Sequence, residues 1–237
     1  MSIARALTSA TYFLSTAASE IPCSSDARTT FVVSSLPEQG PNASMSEPTD
    51  LTEYEKALAE HTIGPLQRLT ATIEVSTYDP FWPRCYEREA ARIRSVLGDR
   101  VMRIEHVGST SVRGLAAKSI IDIALEVADS ADEAAYVPDM EAAGYVLRIR
   151  EADWFQHRLF KGPDTNINLH TFSAGCAEVD RMLVFRNWLR SSAADRELYA
   201  RTKRELAALD WKYMQQYADA KTAVVNEIMV RAAAAAP

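Results

Sequence analysis

The sequence has no run of about 18 consecutive apolar residues, the length a membrane-spanning helix needs, so no segment is expected to cross a bilayer. It has no basic excess either. Against 26 Lys and Arg stand 32 Asp and Glu, a net charge of −6, which argues against stable nucleic-acid binding. Cysteine is scarce: Cys23, Cys85 and Cys176 lie 62 and 91 residues apart. That spacing fits neither a zinc knuckle nor a disulfide framework and points to a reducing cytoplasm. There is no internal repeat. What is present is an ordinary globular composition over 237 residues, enough for one large domain or a domain with an appendage.

Residues 1–50 hold 16 Ser and Thr, few aromatics and no sustained periodicity. A segment with so little apolar area cannot offset its ordering entropy. It reads as a disordered leader or as sequence upstream of a true start at Met45. Arg5 before the mildly apolar stretch Ala6–Ala18 is a weak secretory pattern, broken by Thr8, Ser9, Thr11, Ser15 and Thr16. A globular core is expected over 51–175 and C-terminal helices packed on it over 176–237.

In the core, Leu51–His61 reads as a helix with Thr52 and Glu55 at capping-box spacing. Ile73–Tyr78 reads as a strand. Arg84–Leu97 is an amphipathic helix with Tyr86, Ala90, Ile93 and Leu97 on one face, ended by Gly98. Val101–Val107, Ile120–Val127, Tyr145–Arg150, Trp154–Lys161 and Asn166–Phe172 read as strands. Between them, Ser111–Lys118 is a short helix or loop. Ser130 and Glu133 suggest a second capping box, opening a helix that Pro138 interrupts and Gly144 ends. Helices are expected over 177–191, 194–209 and 217–235. The order predicts a mixed α/β fold, with a sheet of about five strands, packed helices and a helical C-terminal segment.

The chemistry concentrates in Ile104-Glu105-His106-Val107-Gly108-Ser109-Thr110-Ser111-Val112. A strand runs into Gly-Ser-Thr and then into an expected helix start. Gly108 permits close backbone approach, and turn amides at a helix N-terminus can hold an anion, with Ser109 and Thr110 adding hydroxyls. Twelve residues separate Ser109 from Asp122. In its strand Ile121, Ile123, Leu125 and Val127 alternate onto one face, leaving Asp122, Ala124 and Glu126 on the other. A carboxylate in so apolar a strand needs a partner or a metal. In Asn166–Phe172 the same alternation puts Asn168 and His170 on one face. Lys118 precedes the Asp122 strand, Arg186 lies in the apolar stripe of its helix, and Lys221 does the same further on. An inward cation calls for an anion.

These blocks resemble the GrpB-like family of the nucleotidyltransferase superfamily typified by DNA polymerase β. The resemblance is carried by Tyr78-Asp79-Pro80-Phe81-Trp82-Pro83, by the Glu105–Val112 block with Gly114-Leu115-Ala116-Ala117-Lys118 and Ile121-Asp122-Ile123, by Gly144-Tyr145 and Leu169-His170, by Phe185–Arg190, and by Tyr199 with Lys203. It spans about residues 73–230. There are departures. Ala124 stands where superfamily transferases carry a second acid, Arg113 where the family often has Pro, and Asn187 where it often has Asp.

The resemblance implies a nucleotidyltransferase-like fold and a metal-dependent transfer from a nucleoside triphosphate to a small-molecule acceptor. Gly108, Ser109, Thr110, Lys118 and Arg186 would hold the phosphates. Asp122 would bind Mg²⁺ or Mn²⁺ with Glu105 or Glu126, and His170 or His106 would serve as base. A version fused to dephospho-CoA kinase implies a link to CoA metabolism. Two alternatives stand beside the transferase: a non-catalytic module for a nucleotide or CoA-like ligand, which Ala124 favours, and a ligase-like enzyme. No membrane partner is expected.

Overall fold

In the computed structural model, which describes residues 52–235, a five-stranded sheet carries helices on both faces. The strands are β1 (Arg103–Val107), β2 (Ile121–Val127), β3 (Val146–Glu151), β4 (His157–Lys161) and β5 (Ile167–Ser173), in the spatial order β1-β2-β5-β4-β3. The β2–β5 pair is parallel and the other three pairs are antiparallel. Every residue of β2 is buried, as a strand covered on both faces must be. The expectations for residues 1–50 lie outside the described residues.

Helix α1 (Glu53–His61) starts with the expected capping box: Thr52 Oγ1 accepts from the Glu55 amide and Glu55 accepts from the Thr52 amide. Helix α2 (Trp82–Leu97) lays Ala90, Ile93 and Leu97 against Ile121, Ile123, Leu125, Leu169 and Phe160. Helix α3 (Val137–Ala142) adds Val137 and Met140 to the same core. The opposite face is covered by α4 (Ala177–Ser191), α5 (Ala193–Ala207), α6 (Met214–Ala220) and α7 (Thr222–Ala234). Val179, Met182 and Leu183 of α4 pack on Val107, Ala124 and Phe172. Phe185, Leu189, Tyr199, Val225 and Ile228 close over Val112 and Leu115 of the β1–β2 connection.

Four local expectations are corrected. Ile73–Tyr78 is not a strand. It makes one isolated bridge, Ser76 to Ala117, and packs Ile73 on Ala207, Met214 and Tyr217. Ser130 caps no helix: its hydroxyl bonds to Ser173 and to the Gln156 carbonyl. Pro138 does not interrupt a helix but lies in the first turn of α3, where a missing N–H costs nothing. The last helix divides at Lys221, between α6 and α7. Among the described residues Cys176 is a free, half-buried thiol. Among the described residues no helix is long and apolar enough to cross a membrane.

Candidate functional site

The C-terminal end of β1 meets the N-terminal ends of β2 and β5 and the C-terminal end of β4. The register there aligns Val107 with Asp122, Asp122 with Asn168, and Asn168 with Lys161. Three polar side chains on three adjacent strands therefore form one row on the face turned to α4–α7. Asn168 Nδ2 donates to Asp122 Oδ1 at 2.7 Å, and Lys161 Nζ donates to Asn168 Oδ1 at 2.6 Å.

Gly108 follows β1 and turns the chain over this row with φ of +68°. A Cβ built at residue 108 would stand 2.3 Å from Asp122 Oδ2. Glycine is thus required twice, for its backbone conformation and for the carboxylate pressed against it. Ser109–Ser111 form a single 3₁₀ turn, not the start of a helix, so no long helix dipole faces the site. Positive charge comes from side chains instead.

A cavity of about 400 Å³ opens here, lined by Ser109, Thr110, Lys118, Asp122, Asn168, Lys203 and Lys221, with Tyr199 and Tyr217 as walls. Lys203, on α5, donates to Ser109 Oγ at 3.0 Å and to the Ala116 carbonyl, with its ammonium 4.6 Å from the centre of the Tyr199 ring. Lys118 and Lys221 stand 5.3 and 4.8 Å from the Tyr217 ring centre. Asp122 is the one carboxylate among the described residues lining the cavity.

Four lysines around one acid shape the electrostatics. Burial pushes Lys161 and Lys221 down from 10.5 to about 8, with Asp122 acting the other way. Burial and then repulsion from Lys221 hold Lys118 and Lys203 well below the ordinary lysine value. The Tyr217 hydroxyl is buried and has no hydrogen-bond partner among the described residues.

The structure thus brings Ser109, Thr110, Lys118 and Asp122 into one cavity, with Gly108 packed on the carboxylate. The Thr110 hydroxyl is already engaged, donating to the Ile120 carbonyl and sharing a hydrogen bond with His106. His170 lies one pleat deeper, its Nε2 3.9 Å from Asp122 Oδ1. Behind it runs a buried chain: His170 shares a 3.1 Å hydrogen bond with His157, and His157 a 2.7 Å one with Glu151. Burial raises Glu151 to about 7 and lowers His157.

Other expected site residues lie elsewhere. His106 is on the opposite face, stacked on Tyr86 with ring centres 4.7 Å apart; burial lowers it to about 4. Period two puts Glu105 and His106 on opposite faces of β1 without saying which meets the site; the structure turns Glu105 and not His106 toward α4. Glu105 is paired with Arg186 at 2.9 Å. Arg186 also donates to the His106 carbonyl, and Arg190 to the Ser111 carbonyl at 2.8 Å. Both arginines pin the β1–β2 loop from outside, and neither lines the cavity. Glu126 lies two pleat steps, roughly 13 Å, along β2 from Asp122 and accepts from the Cys176 amide. Among the described residues no group of three His, Cys, Asp or Glu could hold a metal ion.

Sequence reasoning missed Lys161, and met Lys203 only through the resemblance. Lys203 did carry a signal: with Tyr199, Ala200 and Ala207 it forms the buried stripe of α5, where an ammonium needs an anion. Lys161 needed the pairing of β4 with β5.

A mixed sheet whose one end gathers a Gly-Ser loop, an acid and buried lysines defines an α/β protein with a lysine-lined cleft. Residues 72–231 match the family described as GrpB protein, and the chain belongs to that family. A UPF0157 protein of Halalkalibacterium halodurans is 58% identical over 192 residues, covering 81% of this chain and 97% of its own. A UPF0157 protein of Streptomyces coelicolor is 45% identical over 163 residues, covering 69% and 86%. The crystal structure of the conserved protein GrpB from Enterococcus faecalis superposes with a TM-score of 0.60 at 31% identity, over 67% of this chain and 96% of that one. A dephospho-CoA kinase of Mycolicibacterium paratuberculosis is 35% identical over 88 residues, 36% of this chain and 22% of that one.

Proposed function

We propose that the lysine-lined cavity binds the phosphate chain of a nucleotide, and that the chain transfers a nucleotidyl or related phosphate-containing group to a small acceptor. The observation that carries this reading is the imbalance of charge: three lysines line the cavity around its one carboxylate, and a fourth, Lys161, reaches that carboxylate through Asn168. Keeping Lys161 or Lys221 charged against a fall from 10.5 to about 8 costs about 3 kcal/mol each. A bound polyanion removes that cost, whereas a structural role would be served as well by apolar side chains.

In this reading Lys118, Lys203 and Lys221 neutralise charge that develops on phosphate oxygens, and Ser109 orients them. Asp122 is the residue that would hold Mg²⁺ or Mn²⁺. A single protein carboxylate suits a magnesium ion that brings phosphate oxygens and waters as its other ligands. The metal would supply charge neutralisation at the phosphates. Asn168 fixes the Asp122 carboxylate, and His170 supports it from below.

A second reading, a non-catalytic module for a nucleotide or a CoA-like ligand, is favoured by Ala124, which puts a methyl on the Asp122 face two residues along β2. The partial similarity to dephospho-CoA kinases makes coenzyme A the ligand to try first in that case.

Thermal unfolding with tripolyphosphate, nucleoside triphosphates and coenzyme A, each with and without Mg²⁺, separates the readings. At about 100 times Kd a ligand adds about 2.7 kcal/mol, a Tm rise of about 5–10 °C for a domain of this size. Metal-dependent stabilisation that Asp122→Asn removes supports the transferase. Metal-independent stabilisation supports the module. No shift with any polyphosphate rules out both.

A further inference from the structure

A second cavity, of about 620 Å³, lies beside the first on the same face of the sheet. Its floor is Ile149 of β3 and Leu159 of β4, and its walls are Leu58 of α1, Leu66 and the start of α6. The two cavities adjoin at two contacts. Lys161, in the second, donates to Asn168, in the first, at 2.6 Å. Lys118, in the first, donates to Met214 Sδ, in the second, at 2.9 Å. A molecule in the second cavity would therefore have its near end at the mouth of the lysine cavity.

The polar groups of the second cavity are one-sided. Arg148, Lys161 and Arg68 line it, and no acidic side chain does among the described residues. Arg68 is partnered from outside by Glu55 at 3.6 Å, and Lys161 is held by Asn168. Arg148 is half-buried over the apolar floor with no carboxylate in the cavity to meet it. Gln215 also lines the cavity and offers it an acceptor, which an N–H or O–H of a ligand, not its carboxylate, would meet. It is 2% exposed, its Nε2 is held by Asp219, and its Oε1 has no hydrogen-bond partner among the described residues.

We propose that this cavity is the site of the second substrate, and that it takes a compact apolar carboxylic acid. The aliphatic or aromatic body would lie on Leu66, Ile149 and Leu159, where each buried methylene contributes about 0.8 kcal/mol. The carboxylate would pair with Arg148, whose planar fork matches it in two parallel hydrogen bonds. The lysine cavity suits a polyphosphate; a single guanidinium suits a carboxylate. Assigning the acceptor role rests on the phosphate reading of the first cavity, but the presence of the site does not.

The test uses hexanoate and hexan-1-ol, which share an apolar body and differ in charge, titrated into the full chain with methyl-labelled Ile, Leu and Met and followed by NMR. Hexanoate should shift the Ile149, Leu159 and Met214 methyls, with an affinity at least about tenfold above that of hexanol, as a charge-assisted pair implies. Arg148→Met should erase that advantage while leaving the Tm shift with tripolyphosphate unchanged, which also shows that the variant folds. Equal affinities, shifts confined to methyls away from this cavity, or no shift with either probe would overturn the proposal. A hexanoate response without any tripolyphosphate response would leave the carboxylate site standing and remove the phosphate reading.

Discussion

On the face turned to α2 and α3, the sheet presents Ile121, Ile123, Leu125, Leu169 and Phe160, and the helices answer with Ala90, Ile93 and Met140. On the face turned to α4–α7, the same strands present Asp122, Asn168, His170 and Lys161 at one end and Ala124 and Phe172 further along. The first face follows the rule that apolar area is removed from water. The second carries buried charge that apolar packing does not explain. A sheet covered on both sides can hold its fold with one face and leave the other to polar and charged groups.

The comparison breaks most sharply at Ile93. Ile93→Ala empties a fully buried position on the apolar face and should cost about 2–5 kcal/mol of stability, read by chemical denaturation, while the folded variant keeps its response to tripolyphosphate. If that response vanished, the two faces would not be separable. Lys203→Met, on the other face, should do the reverse. Affinity for tripolyphosphate should fall about 10–100-fold, the loss of one charge-assisted hydrogen bond, with stability unchanged or raised because a buried charge is gone.

The pH dependence sharpens the same contrast. Lys161 and Lys221 lose their protons near pH 8 when folded and near 10.5 when unfolded. Between those values the unfolded chain binds more protons, so stability rises with pH. Tyr136, Tyr145, Tyr199 and Tyr217 are pushed up by burial; they ionise first in the unfolded chain and reverse the trend above about pH 10. Tm measured without ligand should therefore climb from pH 8 to a maximum near pH 10. Saturating tripolyphosphate, which holds the lysines protonated, should flatten the climb. A Tm that falls throughout this range would mean the lysines stay charged without ligand. The smallest effect is expected from Arg186→Met. It removes the bonds to Glu105 and to the His106 carbonyl and should cost about 1–2 kcal/mol of stability, with tripolyphosphate affinity changed less than by Lys203→Met.

The elements that were legible in the sequence are those whose pattern is local. Alternation marks β2, with Ile121, Ile123, Leu125 and Val127 on one side, and β5, with Ile167 and Leu169, and it isolates Asp122 and His170 on the other. The Gly108-Ser109 turn is legible because its glycine has a local reason. Residues 73–78 misled because Ile73 and Val75 alternate as in a strand, yet bury against α5 and α6. His106 misled because period two assigns residues to two faces without saying which is the site. Lys161 could not be seen at all. It enters the site only when β4 pairs with β5, and its segment carries no feature that foretells the pairing. The break at Lys221 has the same origin: a continuous helical pattern does not show where tertiary packing interrupts it.

The lysine cavity has one more consequence. Lys221, which burial lowers to about 8, gives up part of its protons near pH 8, and under the proposed phosphate reading it regains them when the anion binds. Each binding event near pH 8 then draws protons from the buffer, and the heat that a calorimeter records includes the buffer's own ionisation. The same titration in Tris and in phosphate-free HEPES would differ in enthalpy by an amount that counts the protons taken up.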